Sequence, residues 1–563
     1  VLAIAAVYLV SHKEDKQNVS QKFWWLFPLI IFICSGIIDS TINYAQRYLL
    51  KENDFDAFLS TIFATAFMFG FIVLLYQLII KKEKFQGKAI PAGIILGTIN
   101  FGTMYFIISA LNTNVLEPSA LFPINNLSIL TISTLISVAV FKEKLSANGV
   151  GIFFASQVRV RTNDVDFQYA QNKNFYYFTG LEESDALLLL FKQPITILNK
   201  TGTEFIFVKN RDPQKELWTG KILGAEGVKE KYKIENVFIN DQFTANAVDF
   251  SSIDSVFSAY RGEDIFSKYK RTEDPLARMA TIVDNSINTQ NKPIAARSTQ
   301  TILSNLRGIK QPEEIALITK AVAISCEGHN DVMRAIKPGM TEYQAQAIME
   351  YHFKANGSEY PGYPSINGAA ENACVLHYVT NLKLMNDGDM LLSDCAAEYH
   401  GYTADVTRTV PANGKFTPAQ KIIYELVLKA QDAGIAACVP GAPFGVADAA
   451  ARKVVNEGLI KLGIAANEVE ARKYFPHGTS HHLGLDVHDM GPRTLLPGVV
   501  LTVEPGIYIP PGSNCDKKWW SIGVRIEDDI LITETGNKNL SAGSPRTVDA
   551  IEKMAKEKSI FKK

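Results

Sequence analysis

Two patterns of apolar and polar residues divide this chain. Up to about residue 144 it carries long apolar runs with few polar breaks, at Phe23–Tyr44, Phe58–Ile80, Ala89–Leu111 and Leu121–Phe141. Each run is long enough to cross a hydrocarbon layer of about 30 Å. Gly and Ser within them (Ser35, Gly36, Gly70, Gly93, Gly97, Gly102) would allow close helix packing. Beyond Ser146 the pattern changes. Gly149–Ser156 is short and β-rich and predicts a buried strand, as do Ala186–Phe191, Glu204–Val208 and Asn236–Ile239, with helical stretches between and after them. From Gln311 onward, 3.6-residue periodicity predicts helices starting at Pro312, with acidic residues in the first turn, and after an N-cap at Thr341. Strands are predicted at Cys374–His377, Met390–Cys395, Thr407–Val410, Val500–Tyr508 and Ile522–Thr533, with a long helix over Pro418–Ala437. The tail Asp549–Lys563 reads as a surface helix.

Charge sharpens the upstream half. His12–Lys22 carries three Lys and Lys81–Lys88 four, whereas Asn112–Ala120 has no basic residue. If the runs span a bilayer, this asymmetry places everything after the last run in the cytoplasm. Without them, the downstream half would be soluble, cytoplasmic or exported. Asp39 and Asn43 read as interfacial residues at the end of a run. The chain begins with Val1 rather than Met and shows no signal-peptide order, so its start reads as a fragment. A net charge of -1 gives no reason to expect a nucleic-acid partner. The six cysteines form no CxxC pair or compact framework and read as free thiols.

The chemistry-bearing residues lie near the C-terminus. Asp394 (Leu-Leu-Ser-Asp), Asp405 (Thr-Ala-Asp-Val-Thr-Arg), His481 (Thr-Ser-His-His-Leu-Gly), Glu504 (Val-Glu-Pro-Gly) and Glu527 (Arg-Ile-Glu-Asp) supply four carboxylates and one imidazole. This hard, oxygen-rich set suits two divalent ions that share bridging carboxylates and activate a water. A lone Asp or His would ordinarily be a surface or structural residue. Five in such strings are not. His482, His329, His352 and His400 read as structural.

In order and local context these strings resemble the pita-bread metallopeptidases of the aminopeptidase P and prolidase family. The resemblance implies an α+β pita-bread catalytic domain over 306–545, an α/β creatinase-like N-terminal domain over 146–305 and a helical tail over 546–563. Asp394 would chelate the first metal, Asp405 and Glu527 would bridge the two, and His481 and Glu504 would complete the ligands of the second metal. Glu504 would also shuttle a proton. His377 (Leu-His-Tyr), His477 (Pro-His-Gly) and His488 (Asp-Val-His-Asp) match family positions for donors to the developing oxyanion. Arg525, two residues before Glu527, would pair with a site carboxylate. Val487, His488, His377 and Arg525 correspond to the wall that accepts proline.

The resemblance further implies Mn²⁺ as the ion, peptides with proline at the second position as substrates, and a homo-oligomer. The stretch Asn163–Gly180, with its block Gln171-Asn-Lys-Asn-Phe-Tyr-Tyr-Phe-Thr-Gly180, is similar to the start of the aminopeptidase P N-terminal domain, where an extended stretch leads into a strand. It favours aminopeptidase over the alternative, an Xaa-Pro dipeptidase. Complete ligation separates the chain from creatinases and metal-free binding modules. Residues 1–145, with Phe141-Lys-Glu-Lys-Leu-Ser146, resemble the second half of a drug/metabolite (EamA-like) transporter. That implies an α-helical transmembrane segment held in a lipid bilayer, joined near Leu145 by accident rather than as an evolved tether. The alternative of another class is a permease fragment carrying a passenger domain.

Overall fold

The computed structural model describes residues 55–79, 97–98, 148–258 and 274–561. The chain divides between Ser146 and Ala147. Of the upstream unit, helix α1 (Phe55–Ile79) coincides with the second apolar run. The other three runs, with Asp39 and Asn43, lie outside the described residues apart from 97–98. Among the described residues no helix is long and apolar enough to cross a membrane. The transmembrane segment, its transporter likeness and its bilayer partner therefore find no support in the fold.

The downstream unit opens with a five-stranded mixed sheet. Its strands are β1 (Gly149–Phe154), β2 (Leu187–Ile197), β3 (Lys200–Val208), β4 (Val237–Ile239) and β5 (Ser255–Phe257), in the order β4-β3-β2-β1-β5. The expected strands are all present. β1 runs antiparallel to β2, pairing Val150 with Phe191 and Phe154 with Leu187, and parallel to β5. Both faces of this sheet are apolar, so its strands read as continuous apolar runs rather than alternating ones. One face presents Val150, Ile152, Leu189 and Phe207, together with Leu276, Met279 and Val283 of helix α3 (Pro275–Thr289). The other presents Phe153, Leu188 and Ile206, with Phe175 of helix α2 (Lys173–Thr179) and Leu303 of helix α4 (Ala296–Gly308).

The Gln171–Gly180 block is not extended throughout. It folds as α2, because the Asn172 side chain accepts the N–H groups of Asn174 and Phe175 and Gly180 closes the helix at φ 64°.

The catalytic region begins with helices α5 (Pro312–Ala335) and α6 (Glu342–Ala355). The expected cap is there: Gln344 accepts the Thr341 N–H at 2.9 Å. Helices α7 (Pro418–Ala437) and α8 (Val446–Lys461) follow. The strands form small sheets between these helices. In the first, β7 (Met390–Asp394) lies between β6 (Ile366–Ala369) and β8 (Thr407–Pro411). In two further sheets, β9 (Val500–Val503) pairs with β12 (Asp528–Ile532), and β10 (Gly506–Ile509) pairs with β11 (Ile522–Arg525). This α+β region behind a mixed α/β sheet agrees with the arrangement that the resemblance implies.

Two predictions were too simple. Cys374–His377 is the end of a 3-10 turn (Ala370–Cys374) followed by a turn, entered through Ala370 at φ 50°. Val500–Tyr508 and Ile522–Thr533 each break into two strands. The breaks fall at Glu504-Pro505 and at Ile526-Glu527. Pro505 has no N–H with which to continue a ladder.

Candidate metal centre and active site

The two broken strands and the β7–β8 hairpin converge. Asp394 is the last residue of β7, and Asp405 lies two residues before β8. Glu527 follows β11 and forms a bridge with Thr407, its N–H reaching the Thr407 carbonyl at 3.1 Å. Residues 479–483 run beside β9: the Thr502 N–H bonds the His481 carbonyl at 3.0 Å, and the Glu504 N–H bonds the Thr479 carbonyl at 2.8 Å. Ligand-bearing backbone is thus held by ladder hydrogen bonds rather than by loops alone.

Donor atoms of Asp405, His481 and Glu527 all lie within 4.8 Å of one another. The Nδ1 of His481 is 3.1 Å from the His482 carbonyl, so that nitrogen carries the proton. Nε2 then presents its lone pair toward Asp405 Oδ2 at 3.3 Å and Glu504 Oε1 at 3.5 Å. Fixing the tautomer through the far nitrogen is how ligating histidines are oriented. Asp394 joins through Tyr363, whose hydroxyl is 2.5 Å from both Asp394 Oδ1 and Asp405 Oδ1. Glu527 Oε2 accepts from Thr407 Oγ1 at 2.7 Å.

The electrostatics agree with a cation site. Burial, then the charges of Asp394 and Glu504, holds Asp405 well above the ordinary carboxyl range. Burial and Asp405 do the same to Glu527. Burial and Glu527 raise Glu504 to about 8. Like charges packed this closely in a dry pocket resist ionisation together unless cations join them. The donor set therefore fits divalent ions.

Arg525 is buried, and its guanidinium is fully committed. It donates to Asp394 Oδ2 at 2.6 Å, Tyr508 Oη at 2.9 Å and Thr407 Oγ1 at 3.3 Å. It pairs with a site carboxylate as expected. His477 is equally occupied: Nδ1 donates to the Gly478 carbonyl at 2.8 Å, and Nε2 accepts from Tyr508 Oη at 2.7 Å. Burial and Arg525 push its pKa down to about 4, so it stays neutral. Val487 is half-buried, whereas His488 and His377 are exposed. The His488 ring centroid is 4.3 Å from that of His481. His482 stacks on Phe444 and reaches the Pro492 carbonyl at 3.1 Å, a structural residue as read. His352 pairs with Asp331 at 3.0 Å and His400 with Glu359 at 2.8 Å.

Several supporting residues carry no sequence signal of their own. Tyr363 and Tyr508 are lone tyrosines. Asp529 accepts the Asp405 N–H at 3.0 Å. Arg408 donates to the carbonyls of Thr407 (2.9 Å) and Glu527 (2.7 Å) and pairs with Asp528 at 2.8 Å.

Comparison with known proteins agrees with this geometry. Residues 316–534 match metallopeptidase family M24, and residues 137–255 match the aminopeptidase P N-terminal domain. The chain belongs to metallopeptidase family M24. Within it, the chain is a metallo-aminopeptidase of the Xaa-Pro class. It is 35% identical to the Xaa-Pro aminopeptidase of Escherichia coli over 432 residues, which cover 73% of this chain and 94% of that protein. Xaa-Pro aminopeptidase 3 of Homo sapiens is 32% identical, covering 71% of this chain and 79% of that one. The structure of Escherichia coli aminopeptidase P with the inhibitor Pro-Leu superposes with a TM-score of 0.65 at 34% identity, over 72% of this chain and 94% of that one.

Proposed function

We propose that this protein removes the first residue from peptides whose second residue is proline. The observation that carries the reading is the convergence of Asp405, His481 and Glu527 donors within 4.8 Å, with Asp394 and Glu504 beside them. These five residues would hold two divalent ions, Mn²⁺ by preference for carboxylate oxygen, which when bound lower the pKa of water and offset negative charge on the reacting group.

The remaining work falls to the chain itself. Glu504 sits at the strand break beside His481 and can carry a proton from the attacking water to the departing nitrogen. That nitrogen is the proline nitrogen, which has no N–H and so depends on protonation to leave. The exposed His377 and His488 retain the freedom to donate to a substrate carbonyl, and Val487 offers an apolar edge for the ring. Arg525 and His477 have spent their donors on Asp394, Tyr508 and Gly478. Their part is to position Asp394 and the proline wall rather than to bind the oxyanion.

The test is release of the first residue from an Xaa-Pro-Xaa tripeptide and from an Xaa-Pro dipeptide, using the purified protein supplied with Mn²⁺ and Asp405→Ala as control. Preference for the tripeptide, abolished in the control, is the expected result. Preference for the dipeptide would move the reading to prolidase.

A further inference from the structure

Helix α5 buries a histidine, His329, at 1% exposure. Its Nε2 lies 3.0 Å from the carbonyl oxygen of Cys395 and 2.9 Å from that of Val406. Carbonyls only accept, so Nε2 must carry the proton, and one N–H is shared between two acceptors. Those acceptors belong to the residues that directly follow Asp394 and Asp405.

This is the point where the ladder of the hairpin is interrupted. The β7–β8 register ends at Asp394 opposite Thr407, and one further backbone bond, Cys395 N–H to the Val406 carbonyl at 3.2 Å, closes it. The ladder resumes where the Ala404 N–H reaches the Ala397 carbonyl at 3.0 Å and Glu398 pairs with Thr403; in the gap between, the His329 N–H serves the buried Cys395 carbonyl and adds to the Cys395 N–H on that of Val406. A single imidazole from a third element, α5, donates to both carbonyls and ties the two strands to one rigid helix.

We propose that His329 is a positioning residue that sets the spacing between Asp394 and Asp405, and so the affinity and geometry of the metal centre. This rests on the metal-centre reading above. The choice of residue follows from charge. A lysine or arginine could bridge the same carbonyls, but it would place a buried cation beside the carboxylates and compete with the ions they gather. Burial pushes the His329 pKa down to about 4, so it donates a hydrogen bond without adding charge.

The experiment uses the full chain with His329→Phe, which keeps a ring but removes the donor, and His329→Gln, which keeps a neutral N–H. Metal-stripped proteins are titrated calorimetrically with Mn²⁺, and kcat and KM are measured on the tripeptide. Loss of an outer-shell partner of a metal site typically costs about 10–100-fold in affinity. His329→Phe should lose that much Mn²⁺ affinity. It should also lose kcat at saturating Mn²⁺, with little change in KM, and His329→Gln should recover most of the affinity. A merely structural residue would lower the melting temperature and leave the Mn²⁺ affinity of the folded protein alone. Folded His329→Phe with Mn²⁺ affinity within about twofold of the parent would therefore overturn the proposal. If His329→Phe does not fold, His329→Gln and the shorter His329→Asn decide: affinity should follow the reach of the donor, and equal affinities would overturn it. Asp405→Ala separates the two readings, because unchanged Mn²⁺ affinity there would refute the metal centre itself.

Discussion

The N-terminal sheet and the catalytic region use their interiors differently. Between Asn148 and Leu306 no Asp, Glu, Lys or Arg side chain is buried among the described residues. The core there is Val150, Leu189, Phe205, Phe207 and their neighbours, packed on both faces of one sheet. The catalytic region buries Asp394, Asp405, Arg408, Arg525, Glu527, Asp528 and Asp529. Buried charge is expensive unless partnered, and paired charges often add little net stability. The first interior is therefore organised for cohesion. The second adds to an apolar core of its own a set of like-charged ligands held in place, and the Arg408–Asp528 and Arg525–Asp394 pairs keep that arrangement neutral enough to fold.

The sharpest way to break this comparison is to unbalance the charged interior. Asp528→Ala would leave Arg408 buried without its carboxylate. A stability loss of about 3–5 kcal/mol is expected in urea unfolding, with weaker Mn²⁺ binding because Arg408 also holds the Glu527 carbonyl. A loss below about 1 kcal/mol would show that the pair is not carrying the site. In the cohesive interior, Leu189→Ala should cost about 3 kcal/mol through the cavity it leaves, yet the Mn²⁺ dissociation constant should not move. A shift in that constant would mean the two interiors are coupled.

Chelation tests the same contrast without mutation. Mn²⁺ restored at a hundred times its dissociation constant should add about 2.7 kcal/mol. Hydrogen exchange should slow around β7–β12 and stay unchanged in β1–β5. Slowing in both places would count against the division.

Near neutral pH the smallest effect is that of a single histidine, which shows only on the acid side. Burial lowers the His482 pKa from its usual 6.5 to about 4. Between these values the unfolded chain binds a proton that the folded chain does not. Stability is therefore lost as pH falls from 6.5 toward 4, by at most about 1.4 kcal/mol per pH unit for one proton, and is unaffected above that window. His482→Phe should flatten the acid side of the melting curve relative to the parent. Identical slopes would remove His482 from the account.

Much of the catalytic region was legible because its ligands punctuate apolar runs. Asp394 ends Met390-Leu-Leu, and Glu504 stands before Pro505, a visible strand breaker. Glu527 also sits at a break, but nothing local announces it, since the interruption comes from its bridge to Thr407. His329, Tyr363 and Asp529 were not readable as part of the site, because each acts on backbone or side chains far away in sequence. His477 looked like a free donor until Tyr508 and the Gly478 carbonyl were seen on its two nitrogens. The upstream runs carry no comparable punctuation. Apolar length describes composition, while what surrounds a helix is a property of the folded whole.

The place of β1 inside its sheet also bears on how the protein is made. β1 is the first strand of that sheet to leave the ribosome, yet one of its neighbours, β5, pairs Ser255 with Gly149 roughly a hundred residues later. At about 5–20 residues per second, an apolar strand waits several seconds with one edge open after β2 has covered the other. During that interval the nascent chain presents the open edge of Val150-Gly-Ile-Phe-Phe, the part of this sheet with the most to lose from pairing with another chain.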